Sequence, residues 1–270
     1  MESSLNLRFR PSIYTVSLLH QYWMDRGSQK LDNGGNIFSW KLLKMCGRYV
    51  SPDDMAIERE FNLVHQEWTF PPSFNVAPTQ DVPVIRVAKD GSIQGKPMKW
   101  GLIPYWARGV PPKFSTINAT IEKLTEAASW KGPWNRSQRC IVPAVGFYEW
   151  QLQADGRTKQ PFYITCGDQE MFGFAGLWDS STTAEGVRIH SCTIVTMRAN
   201  QLMSEIHNAK QRMPAILRME HRETWLKGDQ ESAFKVLQQY PDELLIARPV
   251  STRVNAPKNN DATLIEAIAA

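Results

Sequence analysis

The sequence predicts an α+β fold with a β-rich core, in which helices pack around an antiparallel or mixed sheet. Two observations support this prediction. Segments rich in β-branched and aromatic residues are numerous from residue 82 onward, and such residues favour strands. Most of these segments follow one another without an intervening helix, which argues against regular β-α-β winding.

The elements follow from local composition. Strands are predicted for five segments: "VPVIRVA" (82–88), "RCIVPAVGFYEWQ" (139–151), "PFYITC" (161–166), "MFGFAGLW" (171–178) and "RIHSCTIVT" (188–196). The turn-forming stretch "ADGRTK" between the second and third predicts a hairpin connection. Helices are predicted for four segments: 52–63, 119–130, 199–207 and 221–239.

Composition and charge narrow the functional classes. The chain has 270 residues, a net charge of +4 and 21% charged residues, which is ordinary for a globular protein. Residues 1–44 carry +3 of this charge, so the remainder has no global positive field. Any contact with nucleic acid therefore has to come from a local cluster of cations. Neither a membrane-spanning helix nor a secretory signal is predicted.

The sequence contains no common metal or cofactor motif. The four cysteines are widely spaced and form no C-x-x-C pair, so neither a zinc site nor a disulfide framework is indicated: Cys46, Cys140, Cys166 and Cys192. A glycine-rich phosphate loop and an H-E-x-x-H motif are also missing. We therefore expect no metal, no cofactor and a reducing, cytoplasmic location.

Cys46 is distinguished from the other cysteines by following Met45 directly. If translation began at Met45, removal of the initiator would leave an N-terminal cysteine with both an α-amine and a thiol. Their ordinary pKa values, about 7.7–8.0 and about 8.5, make both groups reactive near neutrality. The alternative interpretation is a buried, inert cysteine that serves only as a small hydrophobic residue.

Glu149 and His207 are the other candidates for acid–base chemistry. Glu149 lies in the otherwise apolar "GFYEW", where it is either a strand-edge charge or a partly buried acid with a raised pKa. His207 ends a predicted helix in "EIHNAKQRMPAIL" and is either structural or a proton carrier. In the same stretch Arg212 and Pro214 suggest a fixed turn that carries a cation.

Two asparagines and one aromatic segment are candidates for binding. Asn75 in "FNVAPT" and Asn118 in "STINAT" lie where strand-like sequence gives way to a turn or helix. Capping of that turn or helix is the favoured interpretation, and a hydrogen bond to a sugar or phosphate is the alternative. The segment "KWGLIPYWARGVPPK" (99–113) places Trp106 close to Arg108 and Lys113. Aromatic rings beside cations can stack unpaired bases, at about 1–3 kcal/mol per base, although packed tryptophans and a proline-rich surface loop would give the same pattern.

Seven motifs occur in an order that resembles one known family: "MCGRYV", "FNVAPT", "WGLIPYW", "INATIE", "GFYEW", "IHNAKQRMPAIL" and "VSTRVN". They resemble the SRAP family of SOS-response-associated peptidases, or abasic-site-processing proteins. The resemblance spans residues 45–257 and predicts one SRAP-like domain there. Residues 1–44, which lack organised pattern, are then an unstructured extension or a start assigned too early, and residues 258–270 are a C-terminal tail.

The resemblance implies a barrel-like mixed sheet with flanking helices that recognises abasic sites in single-stranded DNA. It further implies that an N-terminal cysteine crosslinks to the lesion as a thiazolidine and protects it from strand cleavage. By matching motifs, the predicted catalytic residues are Cys46, Asn118, Glu149 and His207. The predicted DNA-binding residues are Arg48, Asn75, Trp106, Arg108, Lys113 and Arg212. A monomeric, DNA-damage-related protein, associated with the nucleoid if bacterial, is the corresponding expectation.

The sequence departs from the family pattern in two places. Thr120 stands where the family usually has Arg, so one phosphate contact is missing or is supplied by Arg108 or Lys113. The larger departure is the extension before Met45, because Cys46 as an internal residue has an acylated backbone nitrogen, which cannot form an imine. Met45 is the true start, or the chain cleaves itself before Cys46, or the extension persists and crosslinking is lost.

The sequence leaves two other functions open. The first is a thiol peptidase, or autopeptidase, in which Cys46 and His207 form a nucleophile–base pair that Glu149 assists. The second is a non-catalytic single-strand binder that uses the aromatic and basic segment. Crosslinking to an abasic oligonucleotide, peptide cleavage without DNA, and salt-sensitive binding alone distinguish the three.

Overall fold

The computed structural model describes residues 46–63 and 68–268. The predicted extension, residues 1–44, lies outside the described residues. Within the described ranges no helix is long and apolar enough to cross a membrane.

Strands dominate the described part of the chain. They are β1 (Arg48–Ser51), β2 (Ser73–Val76), β3 (Asp81–Val87), β4 (Ile93–Trp100), β5 (Asn118–Thr120), β6 (Arg139–Ala144), β7 (Gly146–Leu152), β8 (Lys159–Cys166), β9 (Phe172–Thr182), β10 (Arg188–Arg198), β11 (Arg212–Pro214), β12 (Ile216–Leu217) and β13 (Leu245–Pro249). The α-helices are short: α1 (Asp54–Glu60), α2 (Ala128–Asn135), α3 (Gln201–Ile206), α4 (Arg222–Lys227) and α5 (Gln230–Lys235).

Five strands form a closed barrel in the order β10, β4, β3, β6, β9 and back to β10. Four of the five pairings are antiparallel, and β4 pairs with β10 in parallel. Strands β5, β11 and β12 extend this barrel, with β5 lying parallel to β10. The predicted α+β fold with a barrel-like mixed sheet is therefore confirmed.

A second, five-stranded sheet has the order β13-β8-β7-β1-β2 and is antiparallel throughout. It packs on one end of the barrel through aromatic side chains. The ring of Tyr49 on β1 lies 5.4 Å from that of Trp100 and 5.9 Å from that of Phe174, both on barrel strands. These contacts fix the start of β1, and with it Cys46, against the barrel.

Three predicted elements differ from the structure. The helix predicted over 119–130 is wrong, because Asn118–Thr120 pairs with β10 as a strand and the next α-helix begins only at Ala128. The single strand predicted over 139–151 is two strands in different sheets. The helix predicted over 221–239 is interrupted at Gly228, after which the Asp229 side chain accepts a hydrogen bond from the Ser232 N–H and begins a new helix.

Residues 258–268, predicted as a C-terminal tail, lie against the second sheet. Leu264 is fully buried in a small apolar cluster with Val50, Tyr148 and Val250. Val250 also forms an isolated antiparallel bridge with Ala267. This segment forms part of the surroundings of β1.

Candidate functional site

Three residues that are far apart in the sequence meet just before the start of β1. They are Cys46, Glu149 and His207. Strand β1 pairs with β7 in the register Arg48↔Tyr148 and Tyr49↔Phe147, which brings Glu149 opposite the residues just before β1. His207 follows α3 and is its C-terminal capping residue. The pairing of the first strand with a strand about one hundred residues later therefore assembles this site.

The reactive atoms of the three side chains are close and hidden from solvent. The Cys46 Sγ, a Glu149 carboxylate oxygen and a His207 ring nitrogen all lie within 4.8 Å of one another. The His207 Nε2 is 3.8 Å from the Glu149 Oε2. Cys46, Glu149 and His207 are 5%, 1% and 3% exposed. A buried thiol, acid and imidazole in contact form a cluster suited to nucleophilic and proton-transfer chemistry.

Burial controls the ionisation of this cluster. It raises the pKa of the Cys46 thiol well above its usual value, and the charge and hydrogen bonding of Glu149 add to the rise, whereas Arg212 and Lys210 oppose it. Burial also raises the pKa of the Glu149 carboxyl, while His207 and hydrogen bonds from the Cys46 thiol and backbone N–H lower it. The thiol is thus protonated at neutral pH, and the Glu149 carboxyl group that shares a hydrogen bond with it is the adjacent acid–base group.

The orientation of His207 follows from its second nitrogen. Its Nδ1 lies 2.9 Å from the Arg212 carbonyl oxygen, which can only accept a hydrogen bond. Nδ1 therefore carries a proton, and Nε2 is the ring nitrogen that faces Glu149. The residue that holds His207 is itself fixed, because the Arg212 guanidinium donates to both carboxylate oxygens of Glu122 at 2.7 and 3.0 Å.

The same three side chains offer the donor set of a metal site. A thiolate, an imidazole nitrogen and a carboxylate oxygen are common zinc ligands. Among the residues that the structure describes, this is the group of His, Cys, Asp and Glu side chains whose ligand atoms come close enough together. The expectation of no metal stays a prediction.

The space beneath Cys46 is too small for a substrate. A cavity of about 10 Å³ separates the cysteine from the barrel core, which is room for roughly one water molecule. Its lining includes Arg48, Tyr49, Trp100, Phe147, Phe174, Ile194 and Pro214. A substrate larger than a water molecule therefore has to reach Cys46 from the protein surface.

A groove on that surface contains two of the predicted site residues. It has a volume of about 420 Å³, and its lining includes Trp106, Phe114, Asn118, Thr120, Lys123 and Trp130. Trp106 and Phe114 are 48% and 59% exposed, so their rings are available for stacking. Asn118 pairs with Ile194 of β10, and Ile194 lines the cavity beside Cys46. The pairing of β5 with β10 thus links the groove to the cavity beside Cys46.

The other predicted cations of this surface lie beside the groove or in ion pairs. Arg108 and Lys113 are exposed in the loop that connects Trp106 with Phe114. Arg212 is engaged by Glu122, as described above. The DNA contacts predicted for these three residues stay predictions, as does the catalytic role of Asn118, which is 8% exposed.

Arg48 and Asn75 form a buried hydrogen-bond network. Asn75 is 1% exposed, and its amide oxygen accepts from the Arg48 Nη1 at 2.8 Å. Its amide nitrogen donates to the carbonyl oxygens of Val254, Ala256 and Asn259 at 2.8–3.2 Å. In this structure Asn75 therefore anchors the C-terminal segment to β2, and its predicted DNA contact remains untested.

We expect Asn75→Ala to lower the free energy of unfolding by about 3 kcal/mol, because the substitution leaves several buried polar groups without a hydrogen bond. Urea denaturation monitored by tryptophan fluorescence measures this change. Asn135→Ala, at an exposed position of α2, is the control and should have little effect. A change below about 0.5 kcal/mol in Asn75→Ala would contradict the anchoring role.

Some residues of the site carried no clear signal in the sequence. Phe114 and Lys123 line the groove, Glu122 fixes Arg212, and Lys210 contributes positive charge near the Cys46 thiol. Phe114 could have been found from its place in "PPKFST", where an aromatic residue follows a proline-rich loop. The Glu122–Arg212 pair depends on how β5 and β11 flank β10, which local sequence does not reveal.

The fold and the cluster together define a class of protein. In this class a mixed β-barrel carries a buried cysteine thiol in contact with a carboxyl group and an imidazole. Comparison with known proteins identifies the family. Residues 45–257 match the sequence profile described as SOS response associated peptidase (SRAP). The chain belongs to the SRAP family.

Relatives and solved structures agree with this membership. The chain is 41% identical over 231 residues to "Abasic site processing protein YoqW" of Bacillus subtilis, covering 82% of this chain and 99% of that protein. It is 31% identical to "Abasic site processing protein HMCES" of Xenopus tropicalis, covering 83% and 78% of the two chains. A crystal structure of a protein from Bacteroides thetaiotaomicron superposes with a TM-score of 0.74 and 25% identity, covering 83% and 100%.

Proposed function

We propose that this protein recognises abasic sites in single-stranded DNA and forms a covalent thiazolidine crosslink to them through Cys46, once Cys46 is the N-terminal residue. The observation that carries this proposal is the buried contact of Cys46 with Glu149 and His207. The names of the relatives support the substrate, since they are abasic site processing proteins. The start of the family match at residue 45 supports a mature chain that begins with Cys46.

The proposed reaction combines an amine and a thiol on one residue. The Cys46 α-amine attacks the aldehyde carbon of the ring-opened sugar, and loss of one water gives a Schiff base. The thiol sulfur then adds to the imine carbon while the proton moves to nitrogen, which closes a five-membered thiazolidine. Because the second step is intramolecular, it has a large effective concentration. The sum is one aldehyde plus one aminothiol giving one thiazolidine and one water, without a change in oxidation state.

Each neighbour of Cys46 has a role in this scheme. Glu149 takes the proton from the thiol or the amine, since hydrogen bonds already join it to Cys46. His207 supplies the proton that ring opening and water loss require, through its Nε2 beside Glu149. In this scheme Asn118, which lines the groove, hydrogen-bonds the sugar or the DNA backbone.

The geometry favours crosslinking over a Cys–His peptidase. A peptidase would need His207 to act as the direct base toward the Cys46 thiol. Here Glu149 hydrogen-bonds the thiol, while the two ring nitrogens of His207 face Glu149 and the Arg212 carbonyl oxygen. Cleavage before Cys46 remains one route by which the α-amine could be released.

A denaturing gel tests the proposed function. A chain beginning at Cys46 is incubated with a single-stranded oligonucleotide containing one abasic site. We expect a covalent band that is missing with an undamaged oligonucleotide and with Cys46→Ala. Cleavage of the chain or of a supplied peptide without a covalent band would support the peptidase instead, and salt-sensitive binding alone would support a non-catalytic binder.

Replacing Trp106 in the groove should weaken DNA binding. We expect Trp106→Ala to lose about 1–3 kcal/mol, which is about 5- to 150-fold in Kd, because one base loses its stacking partner. Fluorescence anisotropy with an undamaged single strand measures the loss separately from crosslinking. Met55→Ala, at a 67% exposed position of α1, should bind normally. Equal affinities of the two variants would exclude the groove as the binding surface.

A further inference from the structure

The barrel has a second end, distant from Cys46, that carries a cluster of cations. Alternation along β10 places Arg188, His190, Cys192 and Ile194 on one face, and Cys192 and Ile194 are buried. Ile194 lines the cavity beside Cys46. His190 is four residues earlier on the same strand, about 13 Å away at about 3.3 Å per residue. The two ends of the barrel are thus separate sites.

Four strands contribute side chains to this end, which we call the barrel mouth and define as Arg86, Lys96, Trp178, Arg188 and His190. Their cross-strand partners include buried residues: Val84 is opposite Lys96, Cys140 is opposite Arg86, and Cys192 is opposite Trp178. The five side chains therefore lie on the same faces of their strands as the residues that line the barrel interior. They make this end of the interior positively charged.

Neighbouring side chains hold Arg86 in place within the barrel mouth. The Arg86 guanidinium lies 4.5 Å above the centre of the Trp178 ring, and the rings of Trp178 and His190 are 6.1 Å apart. With the Gln94 amide oriented so that its oxygen faces Arg86, this oxygen accepts two hydrogen bonds, at 2.8 and 3.1 Å. Arg86 is thus held by a ring and a neutral amide, and less of its side-chain entropy is lost when it binds an anion.

The cations of the mouth are not ion-paired: within the described residues, no ion pair includes Arg86, Lys96 or Arg188. Asp90 and Glu185 lie in the turns next to the mouth, between β3 and β4 and between β9 and β10. Burial and the charges of the three cations lower the pKa of His190 to about 4. Burial also lowers the pKa of Arg86. An anion in the mouth would relieve both effects.

We propose that the barrel mouth is a second binding site, distinct from the Cys46 site, that takes a phosphate group. Two flexible cations and one fixed guanidinium around a partly buried imidazole match the several acceptor oxygens of a phosphate. The phosphate belongs either to a DNA backbone or to a free ion, and both have the same chemistry. The proposal does not depend on crosslinking, because no residue of the mouth contacts the Cys46 cluster.

Titration of the full chain with inorganic phosphate tests this site, with the imidazole resonances followed by NMR over a range of pH. We expect saturable binding that raises the pKa of His190, because the anion offsets the surrounding positive charge. The His190 resonance is assigned by its loss in His190→Asn. No saturable shift, or a shift of other histidines alone, would overturn the proposal.

A charge-matched pair of variants separates the mouth from general surface charge. Lys96→Gln with Arg188→Gln should weaken phosphate binding at least about tenfold, whereas Arg157→Gln with Lys258→Gln removes equal charge elsewhere and should bind as the wild type. Equal loss in both pairs would overturn the site. Melting temperatures check that both variants fold.

Competition then identifies the source of the phosphate. If an undamaged duplex or single strand displaces inorganic phosphate from His190, the ligand is a DNA backbone, and if neither does, it is a free phosphate. The variant Lys96→Gln with Arg188→Gln, started at Cys46, should still crosslink a short abasic oligonucleotide. Failure of crosslinking in every chain together with intact phosphate binding would contradict the proposed function alone.

Discussion

A chain that begins with Cys46 is expected to crosslink an abasic oligonucleotide, whereas a chain that retains a single residue before Cys46 is expected to form no crosslink. The thiol is the same in both chains, and only the α-amine differs. An acylated nitrogen cannot form the imine, so the intramolecular step with its effective concentration of about 10⁵ M or more is never reached. We therefore expect at least about a thousandfold difference in initial rate.

Two variants separate the amine from the thiol. Cys46→Ser keeps the α-amine and should give only a Schiff base, which is visible after borohydride reduction and hydrolyses without it. Cys166→Ser replaces a buried cysteine outside the cluster and should crosslink normally. Equal crosslinking by the chains with and without the preceding residue would show that the amine of Cys46 does not react.

Glu149→Gln should reduce the rate of crosslinking about 10²- to 10⁴-fold, which is the usual contribution of a positioned acid or base. Gln has the same shape but cannot accept a proton. Burial raises the pKa of Glu149, so the wild-type rate should fall with acidity at a higher pH than an ordinary carboxyl would cause. The variant should lack this acidic limb, and single-turnover rates across pH measure the difference.

Glu149→Gln should lower the crosslinking rate but raise the stability of the protein at neutral pH. Because the folded-state pKa of Glu149 is raised, its contribution to stability is present at low pH and is lost as the pH rises through the raised value. Glu149→Gln should therefore be more stable than the wild type at neutral pH and equal to it in acid. Glu205→Gln, exposed on α3, is the control for both measurements. A normal crosslinking rate in Glu149→Gln would rule out its role as the base.

Local sequence predicts single elements well and their pairing poorly. The hairpin around "ADGRTK" is confirmed, because turn-forming residues between two alternating segments determine it locally. The strand at Asn118 is wrongly predicted as the start of a helix, because its strand conformation depends on parallel pairing with β10. Such long-range pairing overrides local propensity.

The two sites show the same contrast between what local sequence predicts and what strand pairing determines. Cys46, Glu149 and His207 were recognisable from ordered motifs, but their contact depends on the pairing of β1 with β7, which motifs do not reveal. The barrel mouth had no sequence signal at all. Its cations are single residues on separate strands, and they meet only because the barrel closes.

The mass of the intact adduct tests the central claim most directly. Protein expressed from its own gene is crosslinked to an abasic oligonucleotide and analysed by mass spectrometry before and after proteolysis. We predict an adduct that lacks residues 1–45 and carries the oligonucleotide with the loss of one water, attached to the peptide that begins at Cys46. An adduct that still contains residues 1–45, or one attached to another residue, would contradict it.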